Sequence, residues 1–164
     1  MAEGANIIFK DAEDVGGNPA LKGVTAFRRI LVALDSSAAA RKALDIAIDL
    51  ARGTGAKLWG LSVIPIPEFG GTVGEVTEVK EEGEKHFGPI LQQARDEAER
   101  LRVELEAKIL YGHPAETIVS FAAKGNFDLI VIGYKGSSGV KRFLLGGTSD
   151  KVSHHSPCSV LLVK

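Results

Sequence analysis

Residues 129–163 read LIVIGYKGSSGVKRFLLGGTSDKVSHHSPCSVLLV, and this stretch decides the fold class. It begins with a short apolar run, Leu129–Ile132, whose β-branched content is typical of a strand buried on both faces. A glycine-rich segment, Gly133–Ser149, follows, and after it come a short predicted helix around Thr148 to His155 and a last predicted strand, Ser159–Val163. A buried strand, a loop, a helix and a second buried strand indicate a parallel α/β sheet.

The same pattern opens the regular part of the chain. Residues Arg29–Asp35 form another nearly continuous apolar run, which predicts the first strand. Ser36 or Ser37 can cap the helix that follows, because apolar residues recur at spacings of three and four over residues 40–51. We expect Gly53 and Gly55 to end that helix.

The middle of the chain supplies two more strands and two more helices. Lys57–Ile64 predicts a second strand, and the proline- and glycine-rich segment Pro65–Gly74 predicts a loop before a long amphipathic helix. Apolar and charged residues then alternate over Val103–Ile109, which indicates a strand with one solvated face, and we place it at a sheet edge. Tyr111–His113 makes a turn, and Pro114 suits the first position of the next helix.

Five strands alternating with four helices predict a single-domain, three-layer α/β/α fold with a five-stranded parallel sheet. Right-handed crossovers and an edge position for the third strand give the order 3-2-1-4-5. The chain reverses direction between strands one and four, and ligands in such sheets bind at the strand ends that flank the reversal, here Asp35 and Gly133. We assign this domain to residues 28–164 and interpret residues 1–27, which show no sustained periodicity, as an N-terminal extension.

Composition narrows the class of protein. The 20 basic and 21 acidic side chains leave a formal net charge of −1, which argues against bulk attraction to nucleic acid or to an anionic membrane. The first residues lack the pattern of a secretion signal, and no apolar stretch reaches membrane-spanning length, so we expect a cytoplasmic protein. The single cysteine, Cys158, cannot form an internal disulfide, and we expect it to be a small buried residue.

Glycine is concentrated after the fourth predicted strand. Glycine permits close backbone approach to a bulky anion, and Thr148 and Ser149 open a helix whose N–H groups and dipole favour negative charge. Alternatively, the glycines satisfy turn geometry and Thr148 or Ser149 is an ordinary helix cap. The position at the chain reversal favours phosphate binding. GxxxxGK[ST] is absent and no GxGxxG follows the first strand, which argues against a P-loop NTPase and an ordinary dinucleotide oxidoreductase.

The spacing of three of these glycines, Gly133, Gly136 and Gly146, resembles the G-x2-G-x9-G-[ST] motif of the ATP-binding universal stress proteins. The resemblance runs from Arg29 to Lys164. It includes ILVALDSS at the first strand, LSVIP after the second, and then GHPAETI, DLIVIGYKG and LLGGTSDKVSHHSPCSVLLVK. It implies an adenine nucleotide alpha hydrolase-like fold that binds ATP, with a divalent ion such as Mg²⁺.

The resemblance also implies roles for individual residues. Asp35 and the backbone near Ala33 and Val63 would hold the adenine end. Gly133, Lys135 and Gly136 would face the ribose and phosphates, and Gly146 to Ser149 would wrap the phosphates. The full set of implied nucleotide-binding residues is Ala33, Leu34, Asp35, Val63, Ile132, Gly133, Lys135, Gly136, Gly146, Gly147, Thr148 and Ser149. Two positions depart from the family pattern: Gly147 stands in place of Ser or Thr, and Ser36 in place of a frequent Gly.

Other polar side chains have plainer interpretations. Asp35 can simply be an acid near a helix N-terminus. Lys141 and Arg142 suit a solvated loop face. His154 and His155 diverge by about 100° on a helix and cannot readily share a metal, so we expect no metal site. His113 has no serine or cysteine placed with it as in a catalytic triad, which favours a turn role.

The last strand predicts the assembly. Val160 to Val163 would be a hazardous apolar edge unless covered, and the family resemblance implies a homodimer paired antiparallel through it. The leading hypothesis is a nucleotide-responsive regulatory protein with at most slow ATP hydrolysis. An adenylyl-transferring or ATP pyrophosphatase enzyme would need HxGH or SGGxDS-like signatures, which the sequence lacks. A phosphoacceptor domain would need an aspartate where Leu110-Tyr111-Gly112 stands. An interaction module without nucleotide binding is the remaining alternative.

Overall fold

The computed structural model describes residues 27–66, 73–134 and 147–164. All but the last residue of the predicted N-terminal extension therefore lies outside the described residues. Within them the chain alternates strands with helices from the first strand to the last. The elements are β1 (Arg29–Ala33), α1 (Ala38–Thr54), β2 (Lys57–Ile64), α2 (Val73–Arg100), β3 (Leu105–Tyr111), α3 (Pro114–Lys124), β4 (Leu129–Gly133), α4 (Thr148–His155) and β5 (Ser159–Val163).

All five strands form one parallel sheet in the order β3-β2-β1-β4-β5. β1 is the central strand: its Val32 lies opposite Gly60 of β2 and Val131 of β4. The predicted order 3-2-1-4-5 is therefore confirmed, including the edge position of the third strand. The chain reverses direction between β1 and β4, so the ends of these two strands flank the switch point.

Helices cover both faces of the sheet, as a doubly covered parallel sheet requires. On one face the side chains of Ile30 and Val32 are buried under α1 and α2. On the other face Leu31 and Ala33 are buried with residues of α3 and with Val152 of α4. This alternation along β1 explains why its sequence is apolar at nearly every position.

Local sequence signals set the ends of α1 and the start of α3. The Ser37 hydroxyl accepts the Ala40 N–H at 3.0 Å, which makes Ser37 the cap of α1. Gly55 ends the same helix in the left-handed conformation at φ 73°. Pro114 lies in the first turn of α3. The cap at Ser37, the end at Gly55 and the place of Pro114 are thus as predicted, whereas Gly53 lies inside α1 rather than at its end.

The end of α2 was not predicted. Arg102 adopts φ 60°, and the N–H groups of Arg102 and Val103 donate to the carbonyls of Glu99 and Ala98, each at 2.9 Å. This is the hydrogen-bond pattern of a Schellman motif, in which Val103 also packs in the same core cluster as Ala98. Val103 therefore belongs to the helix end rather than to the strand, and β3 begins two residues later than the alternating pattern suggested.

Two other boundaries differ from the prediction by a residue or two. α2 begins at Val73, so the predicted loop through Gly74 ends earlier than expected. β1 ends at Ala33 rather than Asp35 because the Asp35 carboxylate accepts the Ser37 N–H at 2.9 Å and turns the chain into α1.

Candidate functional site

The predicted site residues on the strands lie at one edge of the sheet. Ala33, Val63 and Ile132 occupy the carboxyl ends of β1, β2 and β4, and each is at most 8% exposed. Their side chains belong to the core between the sheet and α3 and α4. A ligand at this edge would therefore meet the backbone at the strand ends rather than these side chains.

Asp35 lies in the turn that joins β1 to α1. Its Oδ1 atom accepts the Ser37 N–H, and the Ser37 hydroxyl in turn accepts the Ala40 N–H. The side chain is half-buried. Asp35 is thus held near the N-terminus of α1, as the plainer interpretation expected, and at the switch point, as the binding hypothesis requires.

Ser62, which lies in β2 next to Val63, was not predicted from the sequence as part of this edge. It is fully buried, and its hydroxyl donates to the Leu34 carbonyl at 2.9 Å. The Leu34 N–H donates to the Leu61 carbonyl at the same distance. The sequence signal was a single hydroxyl inside the apolar run LSVI of the second predicted strand.

Gly133 brings α1 against the end of β4. A Cβ atom on Gly133 would lie 2.8 Å from the Ala39 carbonyl carbon and 2.9 Å from the Ala40 nitrogen, closer than real contacts allow. The missing side chain therefore lets the first turn of α1 touch the last residue of β4. The glycine has a packing role that places both flanks of the switch point together.

The start of α4 lies beside the same strand end. The Ser149 hydroxyl donates to the Tyr134 carbonyl at 3.0 Å, directly after β4. Gly147 is the N-cap residue, with φ −63° and ψ 163°, and no side-chain bond caps the helix there. The cap is therefore Gly147 rather than Thr148 or Ser149, which both lie inside the first turn. Thr148 is exposed, whereas the Ser149 proton is already directed at the protein backbone.

The rest of the glycine-rich segment lies outside the described residues. This applies to the predicted nucleotide contacts Lys135, Gly136 and Gly146, and also to Gly139, Lys141 and Arg142. Of the twelve predicted nucleotide-binding residues, the structure thus places nine, all near the carboxyl edge of the sheet or at the start of α4.

A cleft of about 120 Å³ adjoins this edge between α1 and α2. Its polar lining residues are Asp35, Ser36, Arg41, Gln93 and Glu97. Pockets that enclose drug-sized ligands measure roughly 300–1,000 Å³. The cleft is too small for a whole nucleotide. It adds only a small recess beside Asp35 to the carboxyl edge of the sheet.

The amino-terminal part of α2 packs against the carboxyl ends of β2 and β3. A Cβ on Gly83 would lie 2.6 Å from the side chain of Ile64, the last residue of β2, so the ten residues of α2 before Gly83 extend about 15 Å beyond that strand. The Tyr111 hydroxyl donates to the Glu84 carboxylate, and the Lys80 ammonium lies 5.0 Å from the Tyr111 ring centroid. The hydrogen bond to Glu84, and to a lesser degree burial, raise the pKa of Tyr111 above its usual value. These contacts hold the amino-terminal part of α2 against β3.

The remaining titratable candidates lie away from this edge. His154 and His155 are exposed at the end of α4, where the His154 Nδ1 atom lies 2.9 Å from the Asp150 carbonyl. Burial raises the pKa of the Cys158 thiol, which disfavours the reactive thiolate. Within residues 27–66, 73–134 and 147–164 no group of three or more His, Cys, Asp or Glu side chains could hold a metal ion. None of the helices in that part of the chain is long and apolar enough to cross a membrane.

Comparisons of the sequence and of the structure with known proteins point to the same family. A sequence model described as the universal stress protein family matches residues 26–164. The universal stress protein YxiE of Bacillus subtilis is 37% identical over 153 residues, a match that covers 84% of this chain and 99% of YxiE.

Solved structures agree with the sequence match. A universal stress protein in complex with cAMP superposes with a TM-score of 0.69 at 27% identity, covering 85% of this chain and 99% of that one. The universal stress protein from Archaeoglobus fulgidus in complex with dAMP superposes with a TM-score of 0.60 at 25% identity, covering 85% and 99%. Two chains of this fold have therefore been solved with adenine nucleotides.

Proposed function

This chain belongs to the universal stress protein family, and on that premise we propose that it binds an adenine nucleotide, ATP foremost, at the carboxyl edge of β1 and β4. The bound nucleotide would change the shape of the protein or the partners that it binds. The protein would then act as a nucleotide-responsive regulator in the stress response. One observation carries this proposal: the Asp35 turn lies on one side of the switch point, after β1, and the start of α4 lies on the other side, after β4.

The two flanks offer complementary chemistry to a nucleotide. Asp35 presents a carboxylate, a strong acceptor for ribose hydroxyls or the adenine amino group. The first turn of α4 presents backbone N–H groups that are not used within the helix, together with the positive end of its dipole. Gly147, Thr148 and Ser149 would therefore face the phosphates, and the backbone near Ala33 and Val63 would face the base.

The proposal extends to three predicted residues outside the described ranges. Lys135 would neutralise phosphate charge, and Gly136 and Gly146 would let the backbone approach the phosphates. Bound cAMP and dAMP in two structural neighbours support an adenine nucleotide as the ligand class.

Mg²⁺ would enter with the nucleotide rather than bind to the protein first. Mg²⁺ is commonly held by substrate phosphates with one or two carboxylates and water. The described residues contain no cluster of metal ligands, so the phosphates would supply most of the coordination. We assign no catalytic residue, because Asp35 lies at the proposed adenine end, and any hydrolysis would be slow at most.

We also propose that β5 pairs with the same strand of a second copy. β5 lies at the end of the sheet, and its Leu161 and Leu162 remain 36% and 37% exposed. A strand edge with exposed leucines invites pairing with another chain, and twofold symmetry makes such a contact self-complementary.

Equilibrium titration with a fluorescent ATP analogue tests the nucleotide proposal. We expect saturable binding by the wild-type protein that unlabelled ATP reverses. Gly136→Val serves as a control, because a β-branched side chain would obstruct the proposed backbone approach to phosphate.

A second candidate function, an interaction module with weak or no nucleotide binding, is favoured by one observation. Gly147 offers no hydroxyl at the position where the family motif has Ser or Thr, and no side-chain bond caps α4 there. Failure of the wild-type protein to bind the analogue, with folding intact, would favour this second function.

A further inference from the structure

Ser62 is the one fully buried polar side chain among the described residues. Burial of a hydroxyl without a hydrogen bond is unfavourable, so a serine inside an apolar strand needs a partner. Its partner is the Leu34 carbonyl, 28 positions away in sequence.

The contact lies one residue beyond the β1–β2 ladder. The last paired residues are Ala33 and Leu61, and the Leu34 N–H still donates to Leu61. The Ser62 hydroxyl then takes up the next carbonyl, that of Leu34. A side chain thus extends the connection between the strands at the point where β1 turns into α1.

The Leu34 carbonyl belongs to the same rigid peptide plane as the Asp35 nitrogen. Holding that oxygen fixes the plane from which Asp35 departs, and the Ser37 N–H holds the Asp35 carboxylate from the other side. Ser37 then caps α1. The result is a continuous series of contacts from the buried Ser62 through Asp35 to the first turn of α1.

We propose that Ser62 is a positioning residue that orients Asp35 for the nucleotide. This inference rests on the proposed nucleotide site and adds to it a group that does not touch the ligand. Removal of the Ser62 hydroxyl would let the Leu34–Asp35 peptide rotate. Nucleotide binding would then have to fix the orientation of this peptide, which the wild-type protein fixes before the nucleotide binds. Affinity would fall although every ligand-contacting side chain remained in place.

The test compares Ser62→Ala with a control at the opposite edge of the sheet. There the Asp128 carboxylate accepts the N–H groups of Arg28 and Arg29, both at 2.7 Å, and ties β1 to β4 before the ladder begins. Asp128→Ala therefore removes a comparable connection between strands far from Asp35. Ser62→Cys keeps a weak donor of similar size and serves as the conservative variant.

We expect Ser62→Ala to weaken ATP-analogue binding by about fivefold, Ser62→Cys by less, and Asp128→Ala by no more than about twofold. All titrations are run at a temperature where circular dichroism shows each variant folded. Equal losses in Ser62→Ala and Asp128→Ala would overturn the proposal, since general destabilisation would then explain both, and so would unchanged binding by Ser62→Ala.

A second readout does not involve the nucleotide. Amide hydrogen exchange at Ser37 and Ala40 should be faster in Ser62→Ala than in wild type, and unchanged in Asp128→Ala. Unchanged exchange at these two amides in Ser62→Ala would overturn the positioning role even if nucleotide binds. If the wild-type protein binds no nucleotide, the proposed function fails separately, and faster exchange would still support the link from Ser62 to Asp35.

Discussion

At the scale of single residues, Gly147 matters most, because it caps α4 at the proposed phosphate end of the site. Ser, Asp and Asn are favoured at N-caps since their side chains accept an N–H of the first turn. The φ of −63° at Gly147 suits any residue, and a Cβ there would meet no atom of the described residues within 4 Å. Neither backbone conformation nor space requires glycine at this position.

Gly147→Ser should therefore raise both stability and nucleotide affinity. We expect the new cap to raise the free energy of unfolding by about 0.3 kcal/mol. We expect roughly threefold tighter binding of the ATP analogue from the added hydroxyl at the phosphates. Thermal unfolding and equilibrium titration measure the two effects.

Gly147→Ala is the matched control, because it adds the Cβ without the hydroxyl. Alanine is a poor N-cap, so this variant should be slightly less stable than wild type and should not bind more tightly. If the alanine and serine variants bound equally well, the hydroxyl would have no part in phosphate binding.

At the scale of elements, α2 ends in an unusual way. Its Schellman motif needs a residue in the left-handed region, and Arg102 occupies that position at φ 60° where glycine is usual. A side chain with a Cβ in this conformation costs roughly 1–2 kcal/mol. The helix therefore carries backbone strain at the turn that leads into the edge strand β3.

Arg102→Gly should relieve this strain. We expect the free energy of unfolding to rise by about 1 kcal/mol, less than the full strain because glycine also gains freedom in the unfolded chain. Urea denaturation should show a higher midpoint at an unchanged slope. Arg102→Ala keeps the Cβ, so a gain from alanine equal to that from glycine would rule out backbone strain as the cause.

The elements themselves were largely predictable, because each has a local signal. Buried strands such as Leu129–Ile132 are apolar throughout, Ser37 and Pro114 mark helix starts, and the alternation over Val103–Ile109 identified an edge strand. The predicted strand order then placed Asp35 and Gly133 at the switch point, where the structure has them.

What the sequence did not predict depends on contacts between distant residues. The Ser62 hydroxyl finds its partner on another strand, and the first turn of α1 touches Gly133 only after the sheet has formed. The end of α2 was missed because an arginine, not a glycine, adopts the left-handed conformation. The hydrogen bond from the Ser149 hydroxyl to the Tyr134 carbonyl also joins residues 15 positions apart, and no local signal predicted it.

At the scale of the whole molecule, the two edge strands of the sheet, β3 and β5, differ in their side chains and contacts. β3 carries charged side chains and is braced by α2 through Tyr111 and Glu84. β5 has exposed leucines and lies at the opposite end of the sheet order. The asymmetry favours association through β5.

We therefore expect a dimer at micromolar concentration in analytical ultracentrifugation, and a folded monomer for Leu161→Lys. A lysine on the proposed interface would have to lose its hydration against a second copy. Ile46→Lys is the control, because Ile46 is 38% exposed but belongs to α1 rather than to the strand proposed to pair. A monomeric wild-type protein, or dimers persisting in Leu161→Lys, would refute pairing through this strand.

The central claim is that the edge between β1 and β4 holds an adenine nucleotide through Asp35. Asp35→Asn tests it sharply, because the amide oxygen can still accept the Ser37 N–H and preserve the turn, whereas the negative charge is lost. Asp128→Asn makes the same change at the opposite edge of the sheet, where the side chain bonds to Arg28 and Arg29.

Equilibrium titration of these two variants with the fluorescent ATP analogue is the most direct measurement. Loss of a charge-assisted hydrogen bond weakens binding by about tenfold or more, so Asp35→Asn should bind at least that much more weakly than wild type. Asp128→Asn should bind within about twofold of wild type. Wild-type affinity in Asp35→Asn, or equal losses in both variants, would contradict a nucleotide site at this edge.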